Sequence, residues 1–431
     1  MRMKNTVARR GLLAVLVLGL VVVLGVSPAI GATTTTAARA GTAATKPGSV
    51  PAYGAKLRTL IPEAMKANAI PGTVVLIRSP KQGNWSATFG TAELGKQVPM
   101  SLKDHFRIGS NTKTMTSTVI LQLVGEGKLK LSDPIGKFVP GVPNGNRITI
   151  RELSEMRSGL FSYTFDPGFN ATLDKNPNKG WTSAELLKIA FKHKPNFAPG
   201  KEYEYSNTNI VLLGVVIEKL TGMSASEALE ERIFKPLGMT HTELPARTNW
   251  RLPEPHAEGY QFGSNVETID SYAVPKAEQA AALDGSLKPL NDTDANPSWA
   301  WTAGGAISTP ADLATYVKAM VGGGLLSPRM QKVRMNSIRP IVPGMKNGVG
   351  YGLGIAQFAP NILGHDGQLP GFSSFMAYDL KTGVTVIISA NLSASPVTGE
   401  NAAVELGKVV LGTLYGNAIV PKGDAAAPPA S

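Results

Sequence analysis

The sequence predicts a mixed α/β fold: an antiparallel sheet built from the N- and C-terminal segments, flanked by helices, with a mostly helical lobe inserted between them. Three observations carry this. A β-branched run from Thr73 to Arg78 and a second strand around Trp85 to Thr91 are joined by a turn at Lys81 to Asn84. Near the other end, Phe372 to Asp379 and Val384 to Asn391 form another strand pair around a glycine-containing turn. Between the two pairs the apolar periodicity is helical. Consecutive hairpins imply antiparallel pairing, and joining both ends of the chain in one layer leaves the middle to form the lobe. A groove between such layers is the expected place for a site.

Residues 1–31 read as an export signal. Arg2, Lys4, Arg9 and Arg10 precede an apolar stretch from Leu12 to Val26, with the small residues Ala29, Gly31 and Ala32 at plausible cleavage positions. The stretch is short for a membrane span, so only an uncleaved signal would hold the protein at a membrane. Residues 32–50 are rich in Thr and Ala and too poor in apolar bulk to offset their chain entropy, which predicts a flexible segment. Residues 51–421 are the folded domain, and the Ala/Pro tail 422–431 resembles the first segment in character.

Within the domain, Leu57, Leu60, Ile61 and Met65 keep helical spacing until Pro71-Gly72. An apolar helical run extends from Ser110 to Leu123, another from Ile210 to Leu220, and a last one from Glu400 to Leu414. The region from about 240 to 300 is punctuated by Pro253, Pro255, Gly259, Gly263, Pro275 and Pro289, and is assigned only as an irregular insertion over the site or the helical lobe.

Composition narrows the function classes. With 0 cysteines there is no disulfide framework and no thiolate metal site. The formal charge is +12, and loss of the four signal cations leaves a surplus near +8, which suits an anionic cell envelope. A secreted or envelope-associated protein is the expectation. No basic block interleaved with aromatics appears, so nucleic-acid binding has no support. The 5 histidines, His105, His193, His241, His256 and His365, lack paired ligand spacing, so neither a metal nor another cofactor is expected.

Three short elements carry chemistry. In Ser110-Asn111-Thr112-Lys113, residues three apart share one helix face, so the Lys113 amine lies beside the Ser110 hydroxyl. An amine kept neutral by burial is one of the few activators of serine that needs no histidine. In Tyr203-Glu204-Tyr205-Ser206-Asn207, the Tyr205 phenol is a candidate proton shuttle. Asn207 offers an amide to a substrate carbonyl and to the lysine, while Ser206-Asn207 also suits ordinary helix capping. In His365-Asp366-Gly367-Gln368, Gly367 lets a substrate backbone approach a sheet-edge strand. The Gln368 N–H pairs with that of Ser110 as a candidate oxyanion hole, and His365 is a cationic or hydrogen-bonding neighbour.

In this order the elements resemble the penicillin-recognising serine hydrolases: class C-type β-lactamases, D-alanyl-D-alanine carboxypeptidases with a His-x-Gly motif, and related esterases and D-amino-acid peptidases. Ser110/Lys113, Tyr205/Asn207 and His365/Gly367 match that family's Ser-x-x-Lys, Tyr-x-Asn and Lys/His-x-Gly motifs. Other stretches look like family landmarks, including Leu131-Ser132-Asp133-Pro134-Ile135, Ser158-Gly159-Leu160, Pro236-Leu237-Gly238-Met239, Ala303-Gly304-Gly305 and Tyr351-Gly352-Leu353-Gly354. Lys381-Thr382-Gly383 is a decoy for the third motif, because its place between two strands reads as a hairpin turn.

The resemblance implies a β-lactamase/DD-peptidase-like fold and an acyl-enzyme mechanism at Ser110, with Lys113 or Tyr205 as the base. Asn207, His365, Gly367 and Gln368 would bind substrate. It implies a small peptide, a β-lactam or an ester as substrate, and cell-wall peptidoglycan as a partner. A non-catalytic penicillin-binding or sensor protein is the alternative from another class. Two departures bear on substrate choice. Asp366 stands where carboxypeptidase relatives have Thr, and Ala356 where they place a carboxylate-gripping arginine, leaving Arg329, Arg334 or Arg339 to restore that grip.

Overall fold

The computed structural model describes residues 50–344 and 348–416. The expected signal, the tail 422–431 and nearly all of the flexible segment lie outside the described residues.

Helix α1 (Ala52–Ala67) buries Leu57, Ile61 and Met65, a stripe at intervals of four, while Leu60 is exposed. Each of these burials contributes roughly 1.5–3 kcal/mol before entropy is counted. Gly54 is needed here because a Cβ would stand 2.5 Å from the Trp85 ring. Strands β1 (Gly72–Arg78), β2 (Trp85–Glu93) and β3 (Val98–Pro99) follow as an antiparallel meander.

Helix α2 (Asn111–Gly125) is buried on nearly every face, as expected of a central helix. Its threonines survive there because their hydroxyls find carbonyls: Thr112 donates to Gly109 at 2.8 Å, Thr114 to Asn111 at 2.7 Å and Thr116 to Thr302 at 2.7 Å. Next come the lobe helices α3 (Pro167–Lys175) and α4 (Asn207–Thr221), with shorter helices at Ile150–Ser154, Ser183–Ala190 and Ala225–Leu229. The start of Ile150–Ser154 is fixed by a Thr149/Glu152 capping box. Helix α5 (Pro310–Gly322) returns the chain to the sheet.

The C-terminal part supplies β4 (Arg339–Pro340), β5 (Gly350–Tyr351), β6 (Ala356–Ala359), β7 (Ile362–Leu369), β8 (Phe372–Asp379), β9 (Thr385–Ala390) and α6 (Ala402–Tyr415). The nine-stranded sheet has the order β3-β2-β1-β9-β8-β7-β6-β5-β4. The two ends of the chain therefore meet at β1 and β9, in a register from Thr73 opposite Ala390 to Arg78 opposite Thr385. All six residues of β9 are buried, so helices cover both faces: α1 and α6 in mutual contact, and α5 with α2.

The sheet differs from expectation at β7, which is an interior strand. β6 pairs with it only as far as Gly364, and from His365 onward that side is open. Lys381-Thr382-Gly383 forms the β8–β9 turn, where Thr382 donates to Asp379 at 2.6 Å and Gly383 adopts φ +73°. The 240–300 region holds a short strand pair, Tyr260–Gln261 with Leu290–Asn291, and folds over the groove beside Ser110.

Candidate active site

Ser110 sits at the N-cap of α2 and is half-buried. Lys113 is one helical turn on, fully buried, and its Nζ donates to Ser110 Oγ at 2.8 Å and to the Ala303 carbonyl at 2.5 Å. Among the described residues no carboxylate pairs with it. Burial pushes its pKa down to about 7, with the field of Asp366 opposing. The amine thus reaches Ser110 as a free base at mildly alkaline pH.

The Tyr205 ring lies beneath this amine, 4.9 Å from Nζ to the ring centroid, and Ser110 is a hydrogen-bond neighbour of its phenol. Burial, then the Tyr351 hydroxyl, raises the Tyr205 pKa well above its ordinary value. The phenol is therefore a proton carrier that stays neutral.

Two glycines bring β7 against the entry of α2. A Cβ on Gly367 would stand 2.0 Å from the Ile108 carbonyl and 2.8 Å from the Ser110 nitrogen, and one on Gly109 would stand 2.4 Å from the Gln368 nitrogen. The β7–β8 hairpin turns on Pro370-Gly371, with Leu369 opposite Phe372 and Gln368 opposite Ser373. In an alternating ladder the position next to that closing pair is not hydrogen-bonded across the hairpin, so the Gln368 N–H points to the open side, towards Ser110. The Ser110 and Gln368 nitrogens of the candidate oxyanion hole therefore both lie where β7 meets the entry of α2. Gly367→Ala is expected to cut acylation of Ser110 by tens-fold or more and to destabilise the fold by about 1–3 kcal/mol, since backbone must move to admit the methyl. Labelling rate and a melting curve check it; a variant with wild-type acylation would remove this contact from the site.

Asn207 opens α4 and lines the pocket, with its Nδ2 donating to Thr164 Oγ1 at 3.1 Å. Its side-chain bond goes to Thr164 and not to Lys113, whose hydrogen bonds go to Ser110 and the Ala303 carbonyl. Nor does Ser206 cap α4 with its side chain: its Oγ is buried without a partner. His365 was expected as a cation or hydrogen-bond neighbour of the cluster, and only the second fits. Its Nδ1 bonds the Asp366 carbonyl at 2.6 Å, so this nitrogen carries the proton and Nε2 accepts from the Tyr351 hydroxyl at 3.1 Å. Burial, and less strongly Lys113, pushes its pKa down to about 3, so it is neutral, and it stands behind the pocket wall.

None of the three arginines left open by the sequence reaches the groove. Arg334 is fully buried and donates to Thr118 Oγ1 at 2.7 Å, Arg339 pairs with Glu155, and Arg329 lines a surface hollow elsewhere. The pocket, about 420 Å³, is lined by the apolar Phe165, Phe169, Leu173 and Trp299 and by the polar Asp366, Gln368, Glu400 and Asn401. Sequence reasoning missed the Ala303 carbonyl, Tyr351, Glu400 and Asn401. The Ala303-Gly304-Gly305 and Tyr351-Gly352 landmarks marked two of these without indicating what they touch.

Known proteins share this fold. The chain is similar to a D-stereospecific amidohydrolase from a Streptomyces species, at 32% identity over 85% of this chain and 99% of that one, with TM-score 0.69. It is similar to D-amino acid amidase from Ochrobactrum anthropi SV3, solved with D-phenylalanine, at 26% identity over 83% and 99% of the two chains, with TM-score 0.69. Protein flp of Staphylococcus aureus is 26% identical over 349 residues, 79% of this chain. The chain spans 64% of the length of that curated relative. Residues 57–410 match the Beta-lactamase family, and the chain belongs to that family of serine hydrolases.

Proposed function

We propose that this chain is an exported amidohydrolase that works through an acyl-enzyme on Ser110, with small amides and D-amino-acid peptides as its substrates and simple esters as secondary ones. The observation that carries the reading is the 2.8 Å contact between a buried, carboxylate-free Lys113 amine and Ser110 Oγ. Ser110 Oγ attacks the carbonyl and Lys113 Nζ takes its proton. The oxygen that becomes negative is held by the Ser110 and Gln368 N–H groups. The proton passes by way of Tyr205 to the leaving nitrogen, and water then releases the acyl group by the reverse route. Of the two candidate bases, Lys113 is favoured. Burial lowers the cost of its neutral form, whereas the same burial makes a Tyr205 phenolate costly.

Similarity to a D-stereospecific amidohydrolase and a D-amino acid amidase supports the amide arm. An activated Ser110 serves both a hydrolase and a protein that only captures an acyl group, and multiple turnover of an amide separates the two. Export rests on residues 1–31.

A dedicated carboxypeptidase would need a cation for the terminal carboxylate, and no Lys or Arg lines the pocket. A peptide ending in D-Ala-D-Ala amide is therefore expected to be turned over at least as well as the free acid. Where such a cation is present, its charge-assisted bonds would favour the acid by roughly tens-fold. Compared kcat/KM values decide this: a hundredfold advantage for the free acid would replace the amidohydrolase reading with a strict carboxypeptidase.

A further inference from the structure

A second concave feature lies where α2 ends, away from Ser110. Two shallow hollows, about 570 and 700 Å³, adjoin there and share Arg151, Arg329 and Val333. Lys332 lines only the smaller hollow and Lys130 only the larger, so four cations follow one trough. Among the described residues no carboxylate lines it. The acids at its border are already engaged. Glu155, with 2% of its side chain exposed, takes Arg151 at 2.9 Å and also Arg339. Asp133, in the field of Lys130, pairs with Lys137 at 3.3 Å, and Glu152 closes the capping box with Thr149. Lys130, Arg329 and Lys332 are exposed and make no ion pair among the described residues.

Local stability does not account for this row. Arg329 stands in the first turn of the helix Pro328–Met335, which has no acid there to offset it, and a cation at that end opposes the helix dipole. Repulsion among the four cations adds to the cost. An anion laid along the trough relieves both.

We propose that this trough is a docking site for a linear polymer of phosphate groups, which holds the protein on an anionic matrix while the pocket at Ser110 stays open. The trough and that pocket lie at opposite ends of α2, whose 15 residues span about 22 Å. The inference goes beyond the hydrolase reading and does not depend on it. Phosphate is favoured because Arg151 and Arg329 line both hollows, and a phosphate group has enough acceptor oxygens to take two planar guanidinium forks at once. Lys332 and Lys130, on either side, are point charges for the neighbouring repeats. A chain fits the concave lining better than a flat bilayer does, since binding in a bilayer interface relies on projecting apolar side chains. Among the described residues no aromatic side chain lines either hollow, so the bases of a nucleic acid would find nothing to stack on.

The test titrates the full chain into a fluorescently labelled inorganic polyphosphate and reads anisotropy at low salt. Wild type is expected to bind. Arg329→Glu combined with Lys332→Glu is expected to weaken binding roughly 10- to 100-fold, and Lys130→Gln alone roughly threefold. The control is Lys56→Glu combined with Arg58→Glu, both exposed on α1 and equal in charge change, which is expected to weaken binding less than about twofold. Melting curves show that each variant is folded, and Lys130→Gln covers a failure of the doubly reversed trough variant. Labelling of Ser110 should be unchanged in all of them, because none of these residues lines its pocket. No binding by wild type, or equal weakening in the trough and α1 variants, overturns the docking site. Equal affinity for a polyglutamate of matched charge overturns the phosphate chemistry. Tighter binding to single-stranded DNA or to phosphatidylglycerol vesicles than to polyphosphate overturns the choice of polymer.

Discussion

Ser110→Ala is expected to abolish covalent labelling by a fluorophosphonate or a fluorescent penicillin and to lower turnover about 10⁴-fold or more. Loss of the nucleophile in a serine hydrolase leaves only the residual effect of binding and the oxyanion donors. The substitution removes one hydroxyl at the rim of the pocket, so its effect on folding is small. Ser110 Oγ accepts from Lys113 and neighbours the Tyr205 phenol, and no other serine in the pocket lies beside a buried amine. Peptide mapping of the labelled wild-type protein is the measurement. Modification at another residue, with Ser110 free, would overturn the site.

Lys113→Ala is expected to slow acylation roughly 10²- to 10⁴-fold while changing substrate binding little. The amine acts on the proton of Ser110 and lies behind it, out of the substrate's reach. Pre-steady-state kinetics separate the two constants, and Lys113→Met, which fills the same buried volume, guards against a mere cavity effect. In the wild type, Lys113 must be unprotonated to act. With its pKa lowered to about 7, acylation should rise about tenfold per pH unit up to that point and then level off. An ordinary lysine would stretch the rising limb to about pH 10. A neutral ester is the substrate to use, because it brings no titrating group of its own to the same limb. An acylation constant unchanged in both variants would take Lys113 out of the mechanism.

Much of the architecture was legible because it is written in local spacing. Phe372–Asp379 emerges with the bounds that its β-branched and aromatic run predicts, and the N-terminal hairpin extends its second strand only to Glu93. Leu60 was read into the buried stripe of α1 and is exposed, because periodicity alone does not say which edge of the stripe faces the sheet. The sequence places Gly367 on a sheet-edge strand. It lies near the end of β7, an interior strand that loses its neighbour halfway along, and where a partner strand stops is not a local property.

The same division runs through the site. The sequence by itself determined that Ser110 and Lys113 stand side by side, since residues three apart on a helix share a face. It also determined that Lys381-Thr382-Gly383 is a turn, and that Gly367 precedes a backbone donor. Only the tertiary structure decided that the Ala303 carbonyl takes the second Lys113 bond, that the Tyr351 hydroxyl donates to His365, that Asn207 turns to Thr164, and that Asp366 meets Glu400 and Asn401. These partners are separated in the chain by 14 to 190 residues, so no local pattern encodes them. The protonation states on which the chemistry depends follow from burial, and burial is set by the segments that the fold lays over each group.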